Sequence, residues 1–285
     1  MKLCRFAHSD RDVHVGAIGV DGSLRDLTPA GVTRLDAILE QADPIGTLSA
    51  LLHQNLPRLD PASVRYCAPV EQQEVWAAGV TYLRSKAARM EESDFSATAY
   101  DRVYSAPRPE IFFKSVASKV VTTGDAVGIR RDARWSVPEP ELALVLNSSG
   151  RLVGCTAAND MSSRDIEGEN LLYLPQAKIY ERSCALGPWI TLGISEETVR
   201  QWRIRVRIQR GHETVFSGDT AVSQIKRTFA ELAGYLFRSQ KFPHGAVLLT
   251  GTGVVPPDDF TLLEGDVVEI EIDGIGILRN PVVVV

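Results

Sequence analysis

Residues 135–165, WSVPEPELALVLNSSGRLVGCTAANDMSSRD, constrain the fold of this chain more than any other stretch. Pro138 and Pro140 alternate with Glu139 and Glu141, and prolines at that spacing exclude a helix and favour extended backbone. In a strand, residues two apart point to one face about 6.5–7 Å apart, so the two carboxylates share a side. LALVL, residues 142–146, continues the run as an apolar segment of buried-strand length. Asn147-Ser-Ser-Gly150 reads as a tight turn, with a return strand expected over 151–159. With Ser148 and Ser149 as a two-residue loop, Asp160 faces Val137 and shares a face with Glu139 and Glu141, and a slip of one residue would reverse this. Three carboxylates without His or Cys suit a hard divalent cation: Mg²⁺ first, with Mn²⁺ or Ca²⁺ as substitutes. The competing reading is a solvated acidic strand edge.

At 285 residues the chain has room for one large domain, or a small one and a larger one. Its 44% apolar and 24% charged residues permit a packed core. A net charge of −5 and the lack of a Lys/Arg block argue against a nucleic-acid surface. No apolar run approaches the ~20 residues that cross a bilayer, and MKLCRFAHSD lacks the apolar centre of a signal peptide. Cys4, Cys67, Cys155 and Cys184 are scattered without CxxC spacing, which favours reduced thiols over disulfides or zinc. A cytoplasmic protein without nucleic-acid or membrane partners is expected.

Residues 1–70 read as a small N-terminal α+β domain and residues 71–285 as a larger, mostly β one. In the first, strands are expected over 2–7 and 13–20 around an Asp21-Gly22 turn, with a helix over 33–42 and another over 48–56. In the second, a strand over 76–82 leads into a charged, helix-prone segment over 82–93. That segment is either a solvated helix with internal ion pairs or a cover over the acidic site. Glu110 opens the strand EIFFK, as a surface carboxylate paired with Arg108 or as a general acid/base. Lys178, in a Leu- and Tyr-rich loop, has the chemistry to orient an oxyanion or move a proton; an ordinary snorkelling lysine is the alternative. Ser223 is the expected cap of a helix carrying Ile225, Phe229, Leu232 and Leu236. Thr250 and Thr252 sit in a Gly-rich turn, TGTG, whose N–H groups and hydroxyls can hold a carboxylate.

PEPELALVL followed by GCTAANDMSSRDIEGENLLYLPQAKIYERSCALGPWI resembles the metal-site signature of the fumarylacetoacetate hydrolase superfamily. GVTY, RPEIFFK and TGTGVVP stand in the same order, so the resemblance runs from about residue 75 to the C-terminus, with a weaker echo in MKLCRF. Within the superfamily the match is closest to the 2-keto-3-deoxy-D-pentonate (arabinonate/xylonate) dehydratases. The resemblance implies an α+β, mostly β fold: a mixed β-sandwich roll behind the small N-terminal domain, assembled as a homodimer or homotetramer. It implies Mg²⁺ on Glu139, Glu141 and Asp160, with Lys178 as the leading catalytic residue and Glu110 beside it. Thr250 and Thr252 are then expected at the carboxylate end of a 2-keto acid substrate, and Tyr82, Arg84, Ser85 and Arg89 at its hydroxyl end. The implied activity is a hydro-lyase that forms 2,5-dioxopentanoate. Hydrolases of the superfamily carry a His paired with a Glu on the covering segment to activate water. This chain has no His between His53 and His212, which counts against water attack and fits elimination. The rivals are a C–C hydrolase of acylpyruvates or 2,4-diketo acids, and a sugar-acid-binding protein without turnover.

Overall fold

A computed structural model of the chain describes residues 1–8, 12–82 and 102–285. Arg84, Ser85 and Arg89, with nearly all of the segment over 82–93, lie outside the described residues. The strands are β1 (Lys2–Ala7), β2 (Val13–Ile18), β3 (Leu24–Asp26), β4 (Arg58–Leu59), β5 (Arg65–Cys67), β6 (Glu74–Gly79), β7 (Glu110–Val116), β8 (Val127–Ile129) and β9 (Ser136–Val137). Then follow β10 (Pro140–Leu146), β11 (Leu152–Asp160), β12 (Ser162–Ser163), β13 (Cys184–Leu192), β14 (Arg203–Arg210), β15 (Glu213–Ala221), β16 (Ala246–Leu249), β17 (Val267–Ile272) and β18 (Gly276–Val284).

Pro140 opens β10, a position where a missing N–H is tolerated, and every residue of that strand is buried. The hairpin to β11 is wider than the expected two-residue loop. Asn147 donates its N–H to the Arg151 carbonyl (3.0 Å), and its side chain accepts from the N–H groups of Ser149 and Arg151. The register is displaced by two residues, with Pro140 opposite Asn159 and Glu141 opposite Ala158. Asp160 therefore lies across from Glu139, donating its N–H to the Glu139 carbonyl (2.9 Å), and Val137 pairs with Ser162 instead. A displacement of two keeps the parity of the strand, so the three carboxylates still share a face.

The large sheet runs β4-β3-β2-β1-β13-β11-β10-β16-β6-β7, with β5 beside β1. Beyond β7 the chain returns to β13: Val121 bridges Ala185, accepting from the Leu186 N–H and donating to the Cys184 carbonyl, each at 3.0 Å. That return rolls the six strands from β13 to β7 around one interior. A five-stranded sheet, β15-β14-β17-β18-β8, packs against the outside. Alternation along β10 serves both layers. Leu142, Leu144 and Leu146 enter a core with Ile204, Val206, Val268 and Ile270 of the outer sheet. Ala143 and Val145 face the roll interior with Val247 and Leu249.

Strands from both sides of residue 70 share the large sheet, through the pairing of Lys2 and Leu3 with Thr191 and Ile190. Leu27, Leu35, Ile38 and Leu48 of the N-terminal part belong to the same core as Ala143 and Val145, and so close the apolar end of the roll. The helices there are Asp36–Leu39 and Pro44–Leu52, the second capped by Asp43, which accepts from the Gly46 N–H. The helix expected from Ser223 begins later, as Phe229–Phe237, with Thr228 as its cap. Ile225 instead bridges Tyr82. The neighbouring Arg227 donates to the carbonyls of Ala106 (2.7 Å) and Pro107 (3.2 Å).

Candidate active site

Glu139, Glu141 and Asp160 have the parity of Ala143 and Val145, so they line the roll at its other end, all but fully buried. One carboxylate oxygen of each lies within 4.8 Å of the other two. Such a cluster survives burial only if counter-charges or hydrogen bonds compensate. Arg164, at the start of the helix Arg164–Glu169, donates to Glu139 Oε1 (2.8 Å). Lys178 Nζ donates to Glu139 Oε2 (2.9 Å), Asp160 Oδ2 (3.1 Å) and Ser162 Oγ (2.5 Å). Lys114 pairs with Asp160 Oδ1. Two of the three carboxylates, Glu139 and Asp160, thus meet three cationic side chains.

Glu141 is placed differently. Its Oε2 accepts the Gly251 N–H at 2.5 Å. Burial, with repulsion from Asp160 and Glu139, pushes its carboxyl well above the usual 4.5; attraction to Lys178 and the Gly251 bond oppose this. It is the member of the trio with the most to gain from an added cation. The donor set is all oxygen, the choice of Mg²⁺ rather than zinc or copper. Oxygens at about 2.1 Å from an octahedral Mg²⁺ are about 3 Å apart when adjacent and about 4.2 Å when opposite. Three ligands of one octahedral shell include at least two adjacent pairs, so the trio, within 4.8 Å, would draw together to hold such an ion.

Lys178 is the last residue of a short helix, Leu174–Lys178, and not in a loop as expected. It is fully buried, its ammonium 5.9 Å from the centre of the Phe112 ring on β7. Glu110 has the strand parity of Phe112 and pairs across to Gly79. A Cβ on Gly79 would lie 2.0 Å from Glu110 Oε2, so the absent side chain is what admits that carboxylate. Arg108, its expected partner, lies over the Tyr235 ring (5.4 Å). Tyr82 is fully buried against Gly253, and burial, followed by repulsion from Glu141, keeps its phenol protonated.

The hydroxyls of Thr250 and Thr252 are turned onto the backbone. Thr250 Oγ1 donates to the Leu142 carbonyl (2.9 Å) and Thr252 Oγ1 to the Val254 carbonyl (3.0 Å). Both residues border the trio, and the group there aimed at a carboxylate is the Gly251 N–H. Sequence reasoning missed three contributors: Lys114, Ser162 and that N–H. A lysine closing the apolar run IFF was the available signal for the first.

Residues 74–283 match the family described as Fumarylacetoacetate (FAA) hydrolase C-terminal. A Haloferax volcanii protein named probable 2-keto-3-deoxyxylonate dehydratase is 43% identical over 274 residues, covering 92% of this chain and 94% of its own. The 2-dehydro-3-deoxy-D-arabinonate dehydratase of Saccharolobus solfataricus is 40% identical over 222 residues, covering 77% and 74%. A solved 2-keto-3-deoxy-D-arabinonate dehydratase complexed with magnesium and 2,5-dioxopentanoate superposes with a TM-score of 0.85 at 32% identity, over 100% of this chain and 99% of the other.

Proposed function

The chain belongs to the fumarylacetoacetate hydrolase family, and from that premise we propose that it is a Mg²⁺-dependent hydro-lyase converting a 2-keto-3-deoxy-D-pentonate to 2,5-dioxopentanoate and water. The observation that carries this reading is the buried trio Glu139, Glu141 and Asp160 with the Lys178 ammonium lodged between two of its members. In the proposal the trio holds the ion. Bound there, Mg²⁺ supplies Lewis-acid polarisation of the 2-oxo group, which acidifies the C3 hydrogens.

The protein's own groups do the rest. With Mg²⁺ on Glu139 and Asp160, which Lys178 now bonds, the lysine would release one proton to solvent and, as the neutral amine, would take the C3 proton. The C4 hydroxyl leaves as water, with Glu110 as the acid placed on the same strand face as Phe112. A second proton shift, from C5, gives the aldehyde. Thr250, Thr252 and the Gly251 N–H border the carboxylate end, and Tyr82, Arg84, Ser85 and Arg89 serve the hydroxyl end. The lack of a His between His53 and His212 supports elimination over water attack.

Residues 1–70 act as a unit that seals the apolar end of the roll. The protein works in the cytoplasm as a homodimer or homotetramer. Leu172, 83% exposed, and Tyr173, 36% exposed, on the turn leading into the Lys178 helix, are apolar surface that such an assembly would cover. Incubation with Mg²⁺ and 2-keto-3-deoxy-D-arabinonate, with the product read by NMR, tests the activity. The expected result is 2,5-dioxopentanoate; release of pyruvate from an acylpyruvate, with no dehydration, would point to the hydrolase instead.

A further inference from the structure

Lys114 is fully buried, yet it stands within β7, directly after the apolar run Ile111-Phe112-Phe113. The pairing of β7 with β6 explains how it gets there. Ser115 pairs with Val75 and Phe113 with Trp76, leaving Lys114 as an extra residue in the ladder. A bulge of this kind bends the strand and re-aims one side chain. The re-aimed ammonium pairs with Asp160 Oδ1 and donates to the main-chain carbonyls of Met161 (3.0 Å) and Lys178 (2.5 Å).

Two main-chain carbonyls accept hydrogen bonds from this ammonium, and Asp160 Oδ1 stands beside it as a counter-charge. Lys114 is thus held by fixed backbone and by one carboxylate of the trio. Its position differs from that of Lys178, which among the described residues donates to two carboxylates of the trio and a serine hydroxyl. The two lysines divide Asp160 between them, Lys114 on Oδ1 and Lys178 on Oδ2. An ion held by the trio would compete with Lys178 for Glu139 and Asp160, whereas two of the partners of Lys114 are backbone carbonyls.

We propose that Lys114 is a positioning residue that ties the ion site to the proton-moving lysine, one ammonium fixing both the rotation of the Asp160 carboxylate and the main chain at Lys178. Groups behind metal ligands orient them, and removing such a group typically costs about 10–100-fold in metal affinity. The second bond fixes the end of the helix that carries Lys178, so the same substitution also slows proton transfer.

This inference rests on the trio being an ion site, and the wild-type protein separates the two. Full-length protein stripped with EDTA is titrated with MgCl₂ by calorimetry, beside Lys114→Met, which keeps the bulk, and Lys114→Gln, which keeps N–H donors for the carbonyls. Failure of the wild type to bind Mg²⁺ sinks the ion-site reading itself. The expected result is folded variants by near-ultraviolet circular dichroism, with Mg²⁺ affinity about 10–100-fold weaker. At saturating Mg²⁺, kcat for 2-keto-3-deoxy-D-arabinonate falls by about tenfold or more while KM stays within about threefold. Wild-type Mg²⁺ affinity in both variants would overturn the proposal. So would weakened affinity with unchanged kcat, which removes the tie to Lys178. Loss of folding in both variants would show that Lys114 is structural only.

Discussion

Glu141 is buried at an electrostatic cost, because a backbone N–H stands where its neighbours have cationic side chains. Its raised proton affinity sets a pH dependence for the metal-free protein. The unfolded chain releases this proton near the usual 4.5, and the folded chain releases it only at a higher pH. Between the two, the unfolded state binds fewer protons, so stability falls as pH rises through that window. Mg²⁺ binds the ionised carboxylate, so the stabilisation it adds grows over the same range. Melting temperatures with EDTA and with Mg²⁺, taken from pH 5 to 9, should diverge as pH rises; parallel curves would contradict the assignment. Glu141→Gln removes the buried repulsion and a ligand charge together. It should raise the metal-free melting temperature, by about 2–4 °C per kcal/mol relieved, while abolishing turnover and weakening Mg²⁺ binding by on the order of 100-fold or more, beyond the range for a supporting contact. The trio was legible in sequence because Pro138 and Pro140 force the extension that aligns Glu139 with Glu141. Asp160 was grouped with them despite a misplaced register, since a two-residue displacement preserves which face a side chain takes. Lys114 was not legible: its partners Asp160 and Lys178 are far along the chain, and a bulge aims it.

At the scale of elements, β10 joins the two layers, and its alternation makes substitutions on either face costly. Leu144→Ala, between the roll and the outer sheet, should destabilise the protein by about 2–5 kcal/mol in chemical denaturation, as a buried leucine does when a cavity replaces it. Gly251 is constrained more tightly. Its φ is +89°, and a Cβ would fall 2.1 Å from Thr81 Oγ1 and 2.9 Å from the Ala78 carbonyl oxygen. Gly251→Ala should cost about 1–3 kcal/mol in strain and displace the N–H that holds Glu141, so calorimetry should show weaker Mg²⁺ binding as well. Strand periodicity carried most of the reading of elements, including β1, β2, β10 and β11. Helix starts were harder. Ser223 has the chemistry of a cap, but Ile225 is drawn into a bridge with Tyr82, and the cap falls to Thr228, three residues before Glu231 in a capping-box pattern. The helix ending at Lys178 is too short for periodicity to show; Pro175 in its first turn was its one local mark.

Over the whole molecule, the roll makes a vessel with one apolar end and one charged end. Residues of the N-terminal part close the first, and the buried trio with its lysines occupies the second. The closure of the roll was not visible in sequence, because it depends on the return of Val121 to β13 and on the pairing of β1 with β13. Assembly is testable at this scale: Leu172→Glu should shift the light-scattering mass toward the monomer, and an unchanged mass would place the interface elsewhere. In the proposed reaction one divalent ion on Glu139, Glu141 and Asp160 drives dehydration. Its most direct test is to strip the protein exhaustively with EDTA, supply 2-keto-3-deoxy-D-arabinonate, and follow 2,5-dioxopentanoate while Mg²⁺ is returned. No product is expected before addition and full recovery as one ion per chain binds, whereas turnover that persists in the chelator would rule the ion out.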